Sequence, residues 1–196
     1  MENVLRHLKK HITLSNYANE LVLSCIDSVS IKKNSEIITI GRPNKYMYIV
    51  KTGVVRGYYY KDFQEITVSL WMENETFGDV TTYITNNPAI KSYQAIEDTE
   101  LYRMDIQRFR SFFEVNHEIC NLARIISERY ILKSQFLSNC LIHLTAEEKY
   151  QLFLINKPGL INRVKIKHIA SYLDITPETL SRIRCSEIYN QRSMVS

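Results

Sequence analysis

The stretch IKHIASYLDITPETLSRIR (residues 166–184) contains two short apolar repeats separated by a turn. In each repeat the apolar residues recur at intervals of three or four, which places them on one face of a helix. They are Ile166, Ile169, Ala170 and Leu173 in the first repeat, and Leu180 and Ile183 in the second. The stretch therefore predicts two short helices that pack their apolar faces against a common core.

The residues of the turn favour a fixed angle between these helices. Asp174 follows the first helix, where the chain usually turns through a left-handed conformation that aspartate tolerates better than most residues. Thr176 can cap the second helix, and Pro177 suits its first position because the missing N–H has no partner there. The pattern is typical of a helix-turn-helix; a three-helix bundle without a DNA role is the alternative.

The second helix keeps a polar outer face that suits DNA. Arginine offers a bidentate donor pair to guanine, and glutamate accepts from cytosine, so Arg182 and Glu178 are predicted base readers. Thr176 and Lys167 are predicted phosphate anchors. The predicted DNA-binding residues are Lys167, Thr176, Glu178, Thr179, Ser181, Arg182 and Arg184.

Length and composition indicate a globular protein. The chain has 196 residues, 45% of them hydrophobic. No segment approaches the roughly 18 consecutive apolar residues of a membrane span, and the N-terminus lacks the apolar core of a signal peptide. We therefore expect a cytoplasmic protein without a membrane partner.

Positive charge is concentrated towards the C-terminus. The net charge is +4, and residues 162–196 contain six Lys or Arg against three Asp or Glu, a net of +3. A basic end on a nearly neutral body suits a polyanion partner, although a solvated face alone would show the same pattern.

The sequence lacks the motifs of an enzyme. It contains no nucleophile motif, no glycine-rich phosphate loop and no cluster of metal ligands. The four cysteines are scattered and form no Cys-x-x-Cys pair, so we expect reduced, mostly buried thiols rather than a zinc site or disulfides.

Residues 29–104 have the texture of short β-strands. The runs EIITI, YMYIVKTGVVRGYYY, ITVSLWM and LYRMD are rich in β-branched and aromatic residues and are separated by turn-forming residues. This predicts an antiparallel sandwich or roll. Short helices are predicted before it, in residues 2–24, with Ser15 as the cap of the second.

After Asp105 the sequence is helical in character for more than thirty residues without glycine or proline. An apolar stripe is predicted at Ile119, Leu122, Ile126, Tyr130, Lys133 and Leu137. It needs a partner, either the β domain of the same chain or the same helix of a second copy. About thirty residues span about 45 Å, longer than a small β domain requires, which favours a homodimer.

A further helical region begins with a capping box formed by Thr145 and Glu148, and its first helix ends at Lys157-Pro158-Gly159. The predicted organisation is therefore an N-terminal β domain over residues 1–104, a long dimerisation helix over 105–141 and a helix-turn-helix domain over 142–196.

Three separated features, in this order, resemble the catabolite-activator and FNR (Crp/Fnr) family of bacterial transcription regulators. Residues 38–60, ITIGRPNKYMYIVKTGVVRGYYY, are similar to that family's glycine-turn hairpin. Residues 75–104 are similar to its phosphate cassette, and residues 169–184 to its reader helices. The hairpin residues that carry the likeness are Gly41, Tyr48, Ile49, Val50, Gly53 and Val55.

The resemblance implies an α+β fold. It consists of an N-terminal antiparallel β-roll (a double-stranded jelly roll of the cyclic-nucleotide-binding kind), a long dimerisation helix and a C-terminal helix-turn-helix domain. The family usually adds a β-hairpin wing. Here only CSEIYNQRSMVS (residues 185–196) follows the reader motif, which predicts a polar tail and a reduced or absent wing.

The cassette departs from the family pattern. Members that bind cyclic nucleotides carry Phe-Gly-Glu and a later Arg-Ser-Ala, where this chain has Phe77-Gly78-Asp79 and Lys91-Ser92-Tyr93. Aspartate is shorter and lysine lacks the bidentate fork, which argues against cyclic AMP. The resemblance implies no required cofactor and an effector site for an unknown small molecule, or no ligand at all. The residues of this effector site would be Phe77, Gly78, Asp79, Lys91, Ser92, Ser134 and Gln135.

Two other sensing chemistries of the family are disfavoured. Iron–sulfur sensing needs clustered cysteines near the N-terminus, and residues 1–24 contain none. Haem ligation by His7 or His11 is the weaker alternative, since a lone histidine on a charged helix is usually solvent-exposed.

Two functions from different classes follow. The first is a dimeric regulator that binds a pseudo-palindromic duplex DNA, with RNA polymerase as a further partner if it activates transcription. Ligand-dependent seating of the long helix would then place the reader helices in the major groove. The second is a ligand-binding sensor that acts through protein partners without binding DNA.

Overall fold

The computed structural model of the chain describes residues 12–193, the last six of them by their backbone alone. The strands are β1 (Ile26–Ile31), β2 (Glu36–Ile38), β3 (Tyr46–Thr52), β4 (Val55–Lys61), β5 (Gln64–Trp71), β6 (Thr76–Phe77), β7 (Ser92–Ala95) and β8 (Thr99–Asp105). The helices are α1 (Asn16–Ser24), α2 (Val80–Thr85), α3 (Ile106–Ser111), α4 (His117–His143), α5 (Ala146–Asn156), α6 (Ile166–Tyr172) and α7 (Pro177–Ser193).

The strands form two antiparallel four-stranded sheets that face each other as a β-roll. One sheet has the order β1-β8-β3-β6 and the other β2-β7-β4-β5. Their facing side chains form a core that is rich in aromatic residues, among them Tyr48, Phe77 and Tyr93. The antiparallel roll predicted from the strand texture is therefore confirmed.

A short helix precedes the roll, as its sequence predicts. The Ser15 hydroxyl accepts a hydrogen bond from the backbone N–H of Ala18 at 3.2 Å and so caps α1. Ala18 and Val22 are fully buried in a second core beneath α4. The predicted helix before it, with His7 and His11, lies outside the described residues.

The prediction of one continuous helix from residue 105 is wrong in one respect. It is divided into α3 and α4, because the Asn116 side chain accepts hydrogen bonds from the N–H groups of Glu118 and Ile119 at 2.9 and 3.1 Å. This cap starts a new helix. With 27 residues, α4 is about 40 Å long.

The first half of the predicted apolar stripe of α4 packs against the chain's own roll. Ile119 and Leu122 are fully buried in the core that they share with α1 and the outer face of one sheet, and Ile126 packs beside them. Lys133 lies on the same side, where it pairs with Glu75. The intrachain alternative therefore holds for this first half, whereas Tyr130 is 54% exposed, and the contact between two copies stays a prediction.

A different face of α4 remains uncovered in the second half of the helix. Leu132 and Phe136 are 65% and 53% exposed, and Ile125, one heptad before Leu132, is half-buried. These positions, with Arg129, follow a spacing of four, three and four residues, the period of a coiled-coil seam. We call this set (Ile125, Leu132 and Phe136) the α4 seam.

The C-terminal helices pack on the roll. The predicted capping box of Thr145 and Glu148 is present at the start of α5, so that prediction is confirmed. The core formed by α5, α6 and α7 also contains Val54 and Leu70 of the roll. In the part of the chain that the structure describes, no helix is both long and apolar enough to cross a membrane.

Candidate nucleic-acid interface and effector site

The turn between α6 and α7 has the geometry that its residues predict. Asp174 has φ +53°, in the left-handed region. The N–H of Ile175 donates to the carbonyl of Ala170 at 3.0 Å, and that of Asp174 to the carbonyl of Ser171 at 3.1 Å. This pair of bonds is a Schellman motif, which ends α6 and fixes the direction of the following chain.

The start of α7 also follows the prediction. Pro177 is its first residue, and the Thr176 hydroxyl accepts a hydrogen bond from the N–H of Thr179 at 3.1 Å. Thr176 is thereby the cap. Its hydroxyl also donates to Oγ1 of Thr179 at 3.1 Å, so it would have to exchange that bond to donate to a phosphate.

The inner faces of α6 and α7 are those predicted. Ile169, Ala170, Leu173, Leu180 and Ile183 are all buried. This packing leaves one face of α7 free, and Glu178, Ser181 and Arg182 lie exposed on it. We call this surface the α7 reading face, and it is slightly concave and lined by Pro177, Glu178, Ser181, Arg182 and Cys185.

Two predicted contact residues lie off this face. Thr179 is half-buried and belongs to the cap, and Arg184 is half-buried next to Tyr150. Lys167 is exposed on α6. The sequence analysis missed Cys185, although its spacing of four residues from Ser181 indicates the same helical face.

The stretch after Arg184 is helical, contrary to the predicted tail. It continues α7 to Ser193.

The prediction of mostly buried cysteines is also wrong: Cys25 is buried, whereas Cys120 and Cys185 are exposed and Cys140 is half-exposed. All four thiols are free. Among the described residues, no three His, Cys, Asp or Glu side chains lie close enough together to hold a metal ion.

The acid of the cassette has a structural role in this chain. The Asp79 side chain is buried, caps α2 by accepting from the N–H of Thr81 at 3.1 Å, and accepts from the N–H of Ile90 at 3.2 Å. Ser92 is also buried, and its hydroxyl accepts from the N–H of Ile40 at 3.0 Å. Both predicted effector residues are therefore engaged with the backbone.

Aromatic rings fill the interior of the roll next to the cassette. The Phe77 ring stacks on Tyr48 and Tyr93, with centroids 5.1 and 5.9 Å apart, and Trp71 stacks on Tyr93 at 5.4 Å. The Tyr93 hydroxyl donates to the carbonyl of Gly78 at 3.1 Å, and burial raises the pKa of this phenol. The structure therefore places Phe77 in the core of the roll.

The remaining predicted effector residues lie around this aromatic core. The Lys91 ammonium is 5.9 Å from the centre of the Tyr93 ring. Ser134 and Gln135 are exposed on α4. Lys133, next to Ser134, reaches the roll instead and pairs with Glu75.

Comparisons with known proteins agree with this architecture. Residues 28–116 match the model of the cyclic nucleotide-binding domain family. The global nitrogen regulator of Nostoc sp. (strain PCC 7120) is 29% identical over 169 residues, which cover 79% of this chain and 75% of that protein.

Two solved structures show the same fold. FixK2 from Bradyrhizobium japonicum superposes with a TM-score of 0.71 at 21% identity, covering 85% of each chain. The catabolite activator protein of Thermus thermophilus superposes with a TM-score of 0.55 at 19% identity, covering 94% of this chain and 88% of that one.

The fold and the family match together define a protein with a cyclic-nucleotide-binding-like domain in residues 28–116. These findings support the resemblance to the Crp/Fnr family noted in the sequence.

Proposed function

We propose that the protein is a dimeric DNA-binding transcription regulator in which α7 enters the major groove. The observation that carries the proposal is the α7 reading face: a capped helix, buried on its inner side, presents Glu178, Ser181 and Arg182 to solvent. A helix backed in this way has the shape and the rigidity that groove binding requires.

The chemistry of this face suits base edges. The Arg182 guanidinium can donate two parallel hydrogen bonds to guanine, and the Glu178 carboxylate can accept from the amino group of cytosine. Ser181 lies between them in the sequence, and its hydroxyl can donate or accept. These three residues are the proposed base readers.

Phosphate contacts would come from the flanks of the reading face. Lys167 is exposed on α6, the helix that crosses the backbone in this arrangement. Thr176 is exposed at the start of α7, where unpaired N–H groups favour anions. Arg163 is not available for this purpose, because Glu73 and Glu97 of the roll hold its guanidinium.

We place the contact between two copies at the α4 seam. Leu132 and Phe136 are exposed in the structure. They belong to the series of steps of four, three and four residues from Ile125 that is typical of a coiled-coil seam. A parallel pair of α4 helices would put the two α7 reading faces on the same side. Groove binding then requires them to lie one DNA turn, about 34–36 Å, apart.

We propose that the predicted effector site offers a ligand few free polar groups. The carboxylate of Asp79 and the hydroxyl of Ser92 accept backbone hydrogen bonds, so Lys91 is the group left to meet an anionic ligand. A ligand there would act by changing how α4 sits on the roll.

Selection from random duplex DNA by the purified protein tests the proposal, first without and then with candidate ligands. We expect enrichment of a two-fold symmetric site with half-sites about one helical turn apart. We also expect an affinity that falls steeply as salt rises, with a smaller salt slope for Lys167→Ala. Equal binding of all duplexes under every condition would contradict the proposal.

A further inference from the structure

A tight turn between β5 and β6 (residues 73–75) contacts the C-terminal helices through two carboxylates. Asn74, at its centre, has φ +65°, and its N–H donates to the carbonyl of Val50 at 2.9 Å. The N–H of Val50 donates in return to the carbonyl of Glu75 at 3.0 Å. The turn is therefore fixed to β3, and the side chains of Glu73 and Glu75 project from a rigid base.

Glu73 binds a residue of the helical region. Its two carboxylate oxygens accept from Nη2 and Nη1 of Arg163 at 2.7 and 3.0 Å, a bidentate pair. Glu97, in the loop between β7 and β8, pairs with the same guanidinium. The Arg163 guanidinium holds the pKa of Glu73 at about 2. Bidentate pairs of this kind fix orientation as well as distance.

Glu75 joins three parts of the fold. One oxygen accepts from Nζ of Lys133 on α4 at 3.1 Å, and the other pairs with Nζ of Lys157, which ends α5. The side chain of Lys157 is 7% exposed. Burial opposes ionisation of Glu75, but the two lysines keep its pKa below the usual range. The roll, α4 and α5 therefore meet at one carboxylate.

The short connection between α4 and α5 makes this contact important. Only Leu144 and Thr145 separate the two helices, so without other contacts they would act as a hinge. Glu73 and Glu75 bind Arg163 and Lys157 of the helical region, both beyond this hinge in the chain, while the α7 reading face remains exposed. Their pairing thus fixes the reading face relative to the α4 seam without blocking it.

We propose that Glu73 and Glu75 are positioning residues that set the spacing between the two DNA half-sites that the dimer accepts. This inference rests on the proposed function as a dimeric DNA-binding regulator. With both carboxylates paired, the distance and the angle between two reading faces have one value. Without them, only the shared core and the contacts of α6 with β5 hold each helical region, and we expect it to shift more easily about residues 144 and 145 and to adapt to other spacings.

The test measures affinity for a symmetric site, selected by the wild type, in which the central spacer is varied by up to two base pairs. A change of two base pairs rotates one half-site by about 70° around the DNA axis. The variants are Glu73→Gln and the double change Glu75→Gln with Lys157→Met, which leaves no unpaired buried lysine. Glu100→Gln is the matched control, because its exposed pair with Lys51 lies within the roll.

We expect the wild type and the control to lose at least about tenfold in affinity when the spacer changes by two base pairs, because both half-sites can no longer be reached from one geometry. The two positioning variants should lose less than about threefold, and their affinity for a single half-site should equal that of the wild type. Variants that keep the spacing profile of the wild type would overturn the inference.

Amide hydrogen exchange separates this inference from the proposed function. If the carboxylates hold the helical region in place, the amides of Thr67 and of α6 exchange faster in both positioning variants than in the control. Unchanged exchange overturns the positioning role whatever the DNA result. A wild type that selects no site contradicts the proposed function, and the exchange result still decides whether the carboxylates fix the helical region.

Discussion

Ser171 of α6 pairs with both backbone groups of Thr67 in β5. Its hydroxyl accepts from the Thr67 N–H at 2.8 Å and donates to the Thr67 carbonyl at 3.3 Å. Because β5 is an edge strand, these groups lack a neighbouring strand as partner. The helical region therefore satisfies the backbone of the roll at the point where β4 and β5 change register.

Replacing this hydroxyl should weaken the whole fold. Ser171→Ala leaves a buried N–H and a carbonyl without their partner, which costs about 1–3 kcal/mol of unfolding free energy. Urea denaturation of the purified variant measures the loss. Ser138→Ala, at an exposed position of α4, is the control and should change stability by less than about 0.5 kcal/mol.

Arg182 should determine one base of the operator. Arg182→Ala removes the bidentate donor of the reading face and should reduce discrimination at one base-pair position by about 1–3 kcal/mol. Competition binding with single-base variants of the selected site measures the effect. Arg108, an exposed arginine on α3, serves as the control, and Arg108→Ala should leave every position unchanged. A uniform loss across all sites for Arg182→Ala would mean that Arg182 contacts phosphate instead.

Acidification should loosen the contact between α6 and the roll. Nδ1 of His168 lies 3.2 Å from Nη1 of Arg56 and 3.3 Å from Oγ1 of Thr67. Arginine only donates, so this nitrogen accepts and the imidazole is neutral. Burial, reinforced by the Arg56 and Lys167 charges and opposed by Glu65, lowers the pKa of His168 to about 4.

The sign of the pH effect follows from this shift. Between about pH 6.5 and 4 the unfolded chain binds a proton at this histidine and the folded chain does not, so stability falls as the pH falls through that window. Allowing for partial exposure, the loss is about 1–2 kcal/mol. Denaturant titrations at pH 7 and pH 5 should show it for the wild type and for the control His143→Gln, but not for His168→Gln.

The α4 seam should control association. Leu132→Glu places a charge in the proposed contact between two α4 helices and should weaken the dimer at least tenfold, about 1.4 kcal/mol. Sedimentation equilibrium measures the dissociation constant. Ile142→Glu introduces the same charge at an exposed apolar position off the seam, and an equal weakening by both changes would place the contact elsewhere.

Gly53 should tolerate no side chain. Its φ is +106°, and an added Cβ would lie 2.8 Å from Cβ and 2.9 Å from Cα of Thr99. Gly53→Ala should therefore cost about 2–4 kcal/mol of stability through backbone strain and overlap. Gly41→Ala is matched in conformation, with φ +77°, but meets nothing within 4 Å. It should cost about 1 kcal/mol in the same thermal or urea denaturation experiment.

The local features of the C-terminal motif could be predicted because they depend on neighbours in the sequence. The cap of Thr176, the left-handed Asp174 and the buried Ile169, Leu180 and Ile183 follow from helix periodicity and terminal hydrogen bonds. The exposed positions of Glu178 and Arg182 follow from the same periodicity. The candidate reading face was therefore predictable before its surroundings were known.

The effector residues show where such prediction ends. Phe77 and Asp79 are recognisable in the sequence as parts of the cassette, but their environment depends on strands far apart in the chain. Asp79 bonds the backbone of Ile90, and Phe77 stacks on Tyr48 and Tyr93. Only the closed roll shows that these groups already have partners.

By itself the sequence determined the β texture of the roll, the caps at Ser15 and Thr145, and how α6 and α7 are joined, because strand alternation, caps and turns act over a few residues. Only the tertiary structure decided which face of α4 is free, since the roll covers Ile119 and Leu122 and leaves Leu132 exposed. It also decided that Arg163, one of the C-terminal cations, pairs with Glu73 across 90 positions. Contacts at that separation form when the domains pack, and no local pattern specifies them.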